Sequence, residues 1–203
     1  MRGERGTARV LSRLILECFM DYQAKLPTPF GVLGIRCTNN ALIGIDRRQH
    51  IRIGASGKIT SAFDMARVMA LGADWCNAAR GFMFAVGCIQ SQSCHTDRCP
   101  TGVATQDPHR QRALVVPDKI QRVANFHRAT LHELAEMTAA AGLDHPNQFK
   151  PIHISRRISP AEVVTFADIY PSLAEGELTA GTGNARWKLP WDLANAQSFR
   201  AVA

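Results

Sequence analysis

Between Arg47 and Asn77 the spacing of apolar residues changes period twice. Arg47 to Ser56 opens with charge, then alternates around Ile51 and Ile53 before Gly54-Ala55-Ser56-Gly57. That is the pattern of a short strand running into a glycine-bearing turn. The period then lengthens: Ala62, Ala66, Met69 and Ala70 recur on one helical face, Ser61 and Asp64 make a capping-box start, and Gly72 supplies the stop. Ala73-Asp74-Trp75-Cys76-Asn77 reads as a second buried strand, followed by Ala78-Ala79-Arg80-Gly81 and an apolar run. Strand, glycine turn, helix, strand, turn is the grammar of a βαβ unit in a parallel sheet, so the chain is placed in the α/β class.

The longest periodic segment runs from Pro117 to Gly142, with Ile120, Val123, His127, Leu131, Leu134, Thr138 and Ala141 on one stripe and Asp118 at its start. Beyond Asp144 prolines accumulate at 146, 151, 160, 171 and 190. One short helix is expected there, from Pro160 to Ile169 behind a Ser159 cap. The remainder, from 143 to 203, reads as a wrapping tail in which Trp187 and Trp191 dock.

A chain of 203 residues, 46% of them hydrophobic, is long enough for one domain with an appendage. The net charge of +7 is spread thinly, with 8 basic and 4 acidic residues in the first fifty and 16 and 13 in the rest. Arg2, Arg5, Arg9 and Arg13 form the only basic run, and Glu4 and Glu17 dilute it, so no nucleic-acid partner is expected. Leu14-Ile15-Leu16 is too short for a signal core or a membrane span, and six cysteines without a leader point to a reducing cytoplasmic compartment.

The chemistry concentrates in Cys88-Ile-Gln-Ser-Gln-Ser-Cys94-His-Thr-Asp-Arg-Cys99-Pro100, a C-x5-C-x4-C-P run. Three thiolates in one loop suit the soft irons of an iron-sulfur cluster, and a cuboidal 3Fe-4S cluster takes one ligand per iron. Two alternatives stand beside it: a Cys3His zinc site completed by His95, although zinc usually recruits close Cys pairs, and three reduced buried thiols. An odd trio cannot pair into disulfides among itself. His127, His132 and Glu136 do not have the spacing of the zinc protease motif. Upstream, Gly54, Ala55, Ser56 and Gly57 would let backbone amides approach a phosphate, with Lys58 as a point charge and Ala78, Ala79 and Arg80 as the opposite wall. The same spacing also makes a pair of tight packing turns.

The segment GASGKITSAFDMARVMALGADWCNAARGFMFAVGCIQSQSCHTDRCPTGVATQDP resembles the FMN-binding synthase domain of glutamate synthase. Gly87, Gly102, Ala104, Thr105, Gln106, Asp107 and Pro108 complete the frame around the cysteines. The C-terminal parts of the stand-alone FMN-binding glutamate synthase-like proteins are similar to this chain from Asn39 through His153 to Ser159 and, more loosely, to Phe199. The resemblance implies the end of a flavin-binding TIM (β/α)8 barrel, its last two strands, with an iron-sulfur loop and a helical or irregular C-terminal tail. It divides the chain into an unassigned segment 1–38, the barrel end with its cysteine loop at 39–110, and a C-terminal helix and tail at 111–203.

The implied activity is FMN-dependent formation of L-glutamate from 2-oxoglutarate and ammonia or glutamine nitrogen. In that reading the 3Fe-4S cluster relays electrons from ferredoxin or a reductase subunit. Cys88, Cys94 and Cys99 would be the cluster ligands, Gly54 to Lys58 the loop after the seventh strand, and Ala79 and Arg80 the phosphate turn after the eighth. The chain departs from the family at Ser56, Gly57 and Lys58, where many members carry an acidic residue and paired glycines. The residues that face the flavin ring and the 2-oxoacid in the family lie on earlier strands, so no catalytic acid or base is nominated. A fragment of a longer flavoenzyme is therefore expected, with a further chain supplying the missing strands. One sub-family of methylamine-using ligases also resembles this segment, which leaves the nitrogen donor open. The competing readings are another FMN barrel oxidoreductase and an electron-transfer or interaction subunit.

Overall fold

The computed structural model describes residues 30–194, with side chains from Gly34 onward. The arginine run at 2, 5, 9 and 13, the apolar Leu14-Ile15-Leu16 and Phe199 lie outside the described residues. In order, the elements are α1 (Phe30–Gly44), β1 (Gly54–Ser56), α2 (Ala62–Ala70), β2 (Trp75–Asn77), α3 (Ala79–Val86), α4 (Pro108–Gln111), α5 (Val116–Ala140), β3 (Ser155–Ser159), β4 (Glu162–Thr165), α6 (Phe166–Ile169), α7 (Glu177–Ala180) and α8 (Ala185–Asp192). The class is α/β, with two small two-stranded sheets and no closed barrel among the described residues. No described helix is long and apolar enough to cross a membrane.

The β1-α2-β2 segment forms in the order that the apolar pattern gives, but the second strand, expected to be buried, leaves Trp75 and Asn77 exposed. β1 and β2 pair, and the crossover between them is α2. Asp64 and Ser61 close the predicted capping box: the Asp64 N–H donates to Ser61 Oγ and the Ser61 N–H to Asp64 Oδ2, both at 3.2 Å. Ala62, Ala66 and Ala70 are buried, one turn apart. The first strand is shifted, however. Arg48–His50 makes a short 3-10 turn, and pairing begins only at Gly54.

The described residues divide into two compact units. One holds α1, Val68–Trp75 and the chain from Phe149 onward. Its core joins Ile35, Ala41 and Leu42 of α1 with Ile154, Phe166, Tyr170, Leu173, Leu178 and Trp187, all buried. Six of these nine residues belong to the region expected to wrap as a tail. Arg36, only 2% exposed, donates from Nε and Nη2 to the Tyr170 carbonyl at 3.1 and 2.8 Å, and Asn40 donates to the Pro171 carbonyl at 2.9 Å. These bonds serve the Arg36 guanidinium and the Asn40 amide N–H, whereas the buried Asn40 Oδ1 has no hydrogen-bond partner among the described residues.

The helix expected from Pro160 to Ile169 forms only over its last turn, Phe166–Ile169. Its first half is the turn and second strand of the antiparallel β3-β4 hairpin, with Ser155 opposite Thr165 and Ser159 opposite Glu162. Val163 and Val164 prefer the pleated backbone, and Pro160 sits in the turn, where its carbonyl accepts from Arg157 Nη1 at 2.9 Å. The helical cap lies instead at Thr165, whose hydroxyl and the Asp168 carboxylate satisfy each other's N–H groups, starting α6.

The second unit comprises Ser56–Arg67 and Cys76–Gln148. Its frame is α3 packed against α5. The ring of Phe126 meets Phe82 edge-on at 5.3 Å and lies over Gly81, where a Cβ would come within 2.8 Å of the ring tip. Leu134 and Thr138 of the α5 stripe are buried, whereas Ile120 and Leu131 are exposed.

Candidate functional site

The second unit contains a cavity of about 490 Å³. One wall is the turn Ser56-Gly57-Lys58-Ile59; a second is Asn77 with the first turn of α3, Ala79 and Arg80; Met83 and Phe84 supply apolar surface; and Cys88, Gln90, Gln92 and Cys94 close the remaining side. Of the eight residues predicted to wall a phosphate, Ser56, Gly57, Lys58, Ala79 and Arg80 share one cavity with two of the three predicted metal ligands, while Gly54, Ala55 and Ala78 are not in its lining. Gly54 is placed elsewhere. It lies in β1 beneath the indole of Trp75, where a Cβ would approach within 2.6 Å, so packing against the ring explains the glycine.

Electrostatically the cavity favours anions. Lys58 and Arg80 carry its charge, and no carboxylate is among the described lining residues. The first N–H groups of a helix have no intrahelical partner, and Ala78 provides no side-chain cap for α3. With the positive end of the helix dipole added, a phosphate monoester fits this wall. Three non-glycine residues of the lining, Lys58, Gln90 and Gln92, hold left-handed backbones at φ 55°, 56° and 57°. Side chains there cost strain that surrounding structure must hold in place, which is typical of ligand sites.

The cysteine loop begins where α3 stops. The N–H groups of Gly87 and Cys88 both donate to the Met83 carbonyl, at 3.2 and 2.9 Å, and turn the chain off the helix. Cys94–Thr96 makes one 3-10 turn ended by Asp97 at φ 60°. Cys88, Cys94 and Cys99 are all free thiols, half-buried, exposed and buried respectively. Cys88 and Cys94 face the cavity; Cys99 is not in its lining. Cys99 Sγ lies 3.5 Å from Thr101 Oγ1. The Thr101 hydroxyl, followed by the N–H groups of Ala104, Thr101 and Val103, lowers this thiol to about 7. Cys76, by contrast, is pushed up to about 11 by burial.

Among the described residues no three His, Cys, Asp or Glu side chains gather as ligands of a metal ion, so neither the predicted trio of Cys88, Cys94 and Cys99 nor a Cys3His set with His95 converges on one point. What the loop does offer is three free thiols, one of them stabilised as thiolate near neutrality, and that donor chemistry suits an iron-sulfur centre. His132 stands instead beside Glu136, with Nε2 3.3 Å from the carboxylate on the exposed face of α5.

Sequence reasoning had no means of finding Asn77, Gln90 and Gln92. Nothing in a polar amide announces a left-handed backbone. Met83 and Phe84 were legible only as part of an apolar run.

The family model described as a conserved region in glutamate synthase matches residues 23–144. The chain belongs to the glutamate synthase family. That match begins upstream of Asn39 and takes in both cavity walls and the cysteine loop. Family members similar to the chain include the glutamate synthase large subunit-like protein YerD of Bacillus subtilis, 41% identical over 122 residues, which cover 60% of this chain and 23% of that protein. The archaeal glutamate synthase (NADPH) of Methanocaldococcus jannaschii is 38% identical over 97 residues, 48% of this chain and 19% of the relative. The glutamate synthase (NADH) of Schizosaccharomyces pombe is 32% identical over 116 residues, 57% and 5% respectively. The chain spans less than a quarter of the length of each of these relatives.

Proposed function

We propose that this chain is the flavin-phosphate and cluster end of a glutamate synthase-type oxidoreductase. The parent reaction is reductive formation of L-glutamate from 2-oxoglutarate and nitrogen from ammonia or glutamine. The single observation that carries the reading is the shared cavity: a cationic wall of Lys58, Arg80 and the start of α3 stands across from Cys88 and Cys94. A cationic surface beside thiols supports the reading, because a flavin next to an electron relay requires a phosphate site close to the cluster ligands.

When bound, FMN would supply hydride to an imino acid and a 3Fe-4S cluster would supply single electrons to the flavin. The chain's own residues bind and orient. Lys58 and Arg80 neutralise the phosphate, the turn at Ser56 and Gly57 admits it closely, and Met83 and Phe84 shield one side from water. Cys88, Cys94 and Cys99 would hold the cluster, with ferredoxin or a reductase subunit as electron donor. In this reading β1 and β2 are the last two strands of a TIM barrel and form the framework of the site.

A second reading, a cluster-bearing electron-transfer subunit of a flavoenzyme complex, draws support from the loop of free thiols at Cys88, Cys94 and Cys99. Anaerobic purification followed by iron, sulfide and flavin analysis tests both. Iron and inorganic sulfide with stoichiometric FMN support the oxidoreductase; iron and sulfide with no affinity for FMN support the subunit; zinc alone at one equivalent removes the cluster from either.

A further inference from the structure

The Ala104-Thr105-Gln106-Asp107-Pro108 run that follows the cysteines has no place on the cavity wall, yet it is bonded to the middle of the cysteine loop. The point of attachment is Asp97. Its Oδ1 accepts from the Gln106 N–H and lies 2.9 Å from Thr105 Oγ1, while its own carbonyl lies 2.7 Å from the same hydroxyl. Thr105 Oγ1 in turn accepts the Asp107 N–H at 3.1 Å, and the Asp107 carboxylate caps α4 by accepting the His109 N–H at 2.8 Å. Gly102, at φ 74°, lies so close to the Arg110 carbonyl of α4 that no Cβ fits between them. Both arms of the loop are thereby tied to α4, one through Asp97 and one through the turn after Cys99.

Asp97 stands between Cys94 and Cys99, three residues beyond the first and two before the second. Its left-handed backbone would be costly in a free loop and is held by these bonds. We propose that Asp97 is a positioning residue for the inorganic centre. By clamping the 94–99 span to Thr105 and Gln106, it sets the separation at which Cys94 and Cys99 present their sulfurs. The inference rests on the cluster reading above and adds to it a residue that touches neither metal nor substrate.

Wild type, Asp97→Ala, Asp97→Asn and Thr105→Val would be loaded with iron and sulfide anaerobically. Iron and sulfide per chain, the rate of iron release to a chelator and the electron paramagnetic resonance spectrum of the oxidised cluster would then be measured. Removing a group that supports metal ligands typically costs about 10- to 100-fold in affinity, so Asp97→Ala should release iron at least about tenfold faster with a broadened spectrum. Asp97→Asn keeps the accepting oxygen and should behave as wild type, and Thr105→Val should fall between. Circular dichroism would establish that each variant folds; should Asp97→Ala fail to fold, Thr105→Val carries the comparison. Wild-type retention and spectrum in the folded Asp97→Ala variant, or in Thr105→Val when it stands in, overturn the clamp and leave the cluster reading intact. Asp97→Asn losing iron as fast as Asp97→Ala also overturns it. A wild type that holds no iron and sulfide overturns the cluster reading, and the clamp with it.

Discussion

The indole of Trp75 covers Gly54 so closely that its ring nitrogen would sit 2.8 Å from a Cβ at residue 54. Any side chain there must displace the ring or the strand. Gly54→Ala should therefore destabilise the chain by about 1–3 kcal/mol, the usual cost of overpacking, in a urea denaturation curve. Flavin affinity measured on the folded variant should match wild type, because Gly54 is not in the cavity lining.

Lys58 and Arg80 carry the positive charge of the cavity. A charge-assisted hydrogen bond to phosphate contributes about 1.5–3 kcal/mol, so Lys58→Ala should weaken FMN binding about tenfold or more. Riboflavin, which lacks the phosphate, serves as the control. The variant's preference for FMN over riboflavin should shrink, with riboflavin affinity unchanged; equal losses for both ligands would place Lys58 away from the phosphate.

Asp74 ties the strand entry to the loop before it. Its Oδ2 accepts from the Ile53 N–H at 2.6 Å and from Arg48 Nη2 at 2.9 Å, and Oδ1 accepts from Arg52 Nη1 at 3.3 Å. Burial pushes this carboxyl up, but the Ile53 N–H, Arg48 and Arg52 together hold it below its ordinary value. A folded pKa below the unfolded one means that its stabilisation is complete above the usual carboxylate range. The stabilisation is lost as pH falls through the depressed folded value. Asp74→Asn should cost about 1–3 kcal/mol at pH 7 and should flatten the acid limb of a stability-versus-pH curve. Arg52, 73% exposed, should matter little.

Trp187, only 2% exposed, tests whether the C-terminal region is core or covering. Trp187→Ala should cost about 3–5 kcal/mol, the range for emptying a large aromatic site. A loss below 1 kcal/mol on the same denaturation curve would return this region to the role of an appendage.

How much of this was legible depended on where each residue's partners lie along the chain. The capping box of α2 is local, Ser61 against Asp64, and the sequence displays it in full. The α5 helix was equally plain from its stripe. Helix α1 was not read, because its buried Arg36 and Asn40 look like surface residues until the carbonyls of Tyr170 and Pro171, more than 130 residues away, are brought to them. The β3-β4 hairpin was misread for a related reason: Ser159-Pro160 is an acceptable helix start until the valines of β4 find β3. Of the candidate site, the glycine-bearing turns and the thiols were visible as types, whereas the bonds from Thr105 and Gln106 to Asp97 were not, since these look like ordinary loop residues.

A cavity whose charged lining residues, among the described residues, are the cations Lys58 and Arg80 attracts whatever anion the solution provides. Phosphate or sulfate buffer would compete at Lys58 and Arg80 and depress the apparent flavin affinity, and rising ionic strength would do so further by screening. Titrations in a zwitterionic buffer at low chloride should therefore give the tightest binding, with inorganic phosphate acting as a competitive displacer.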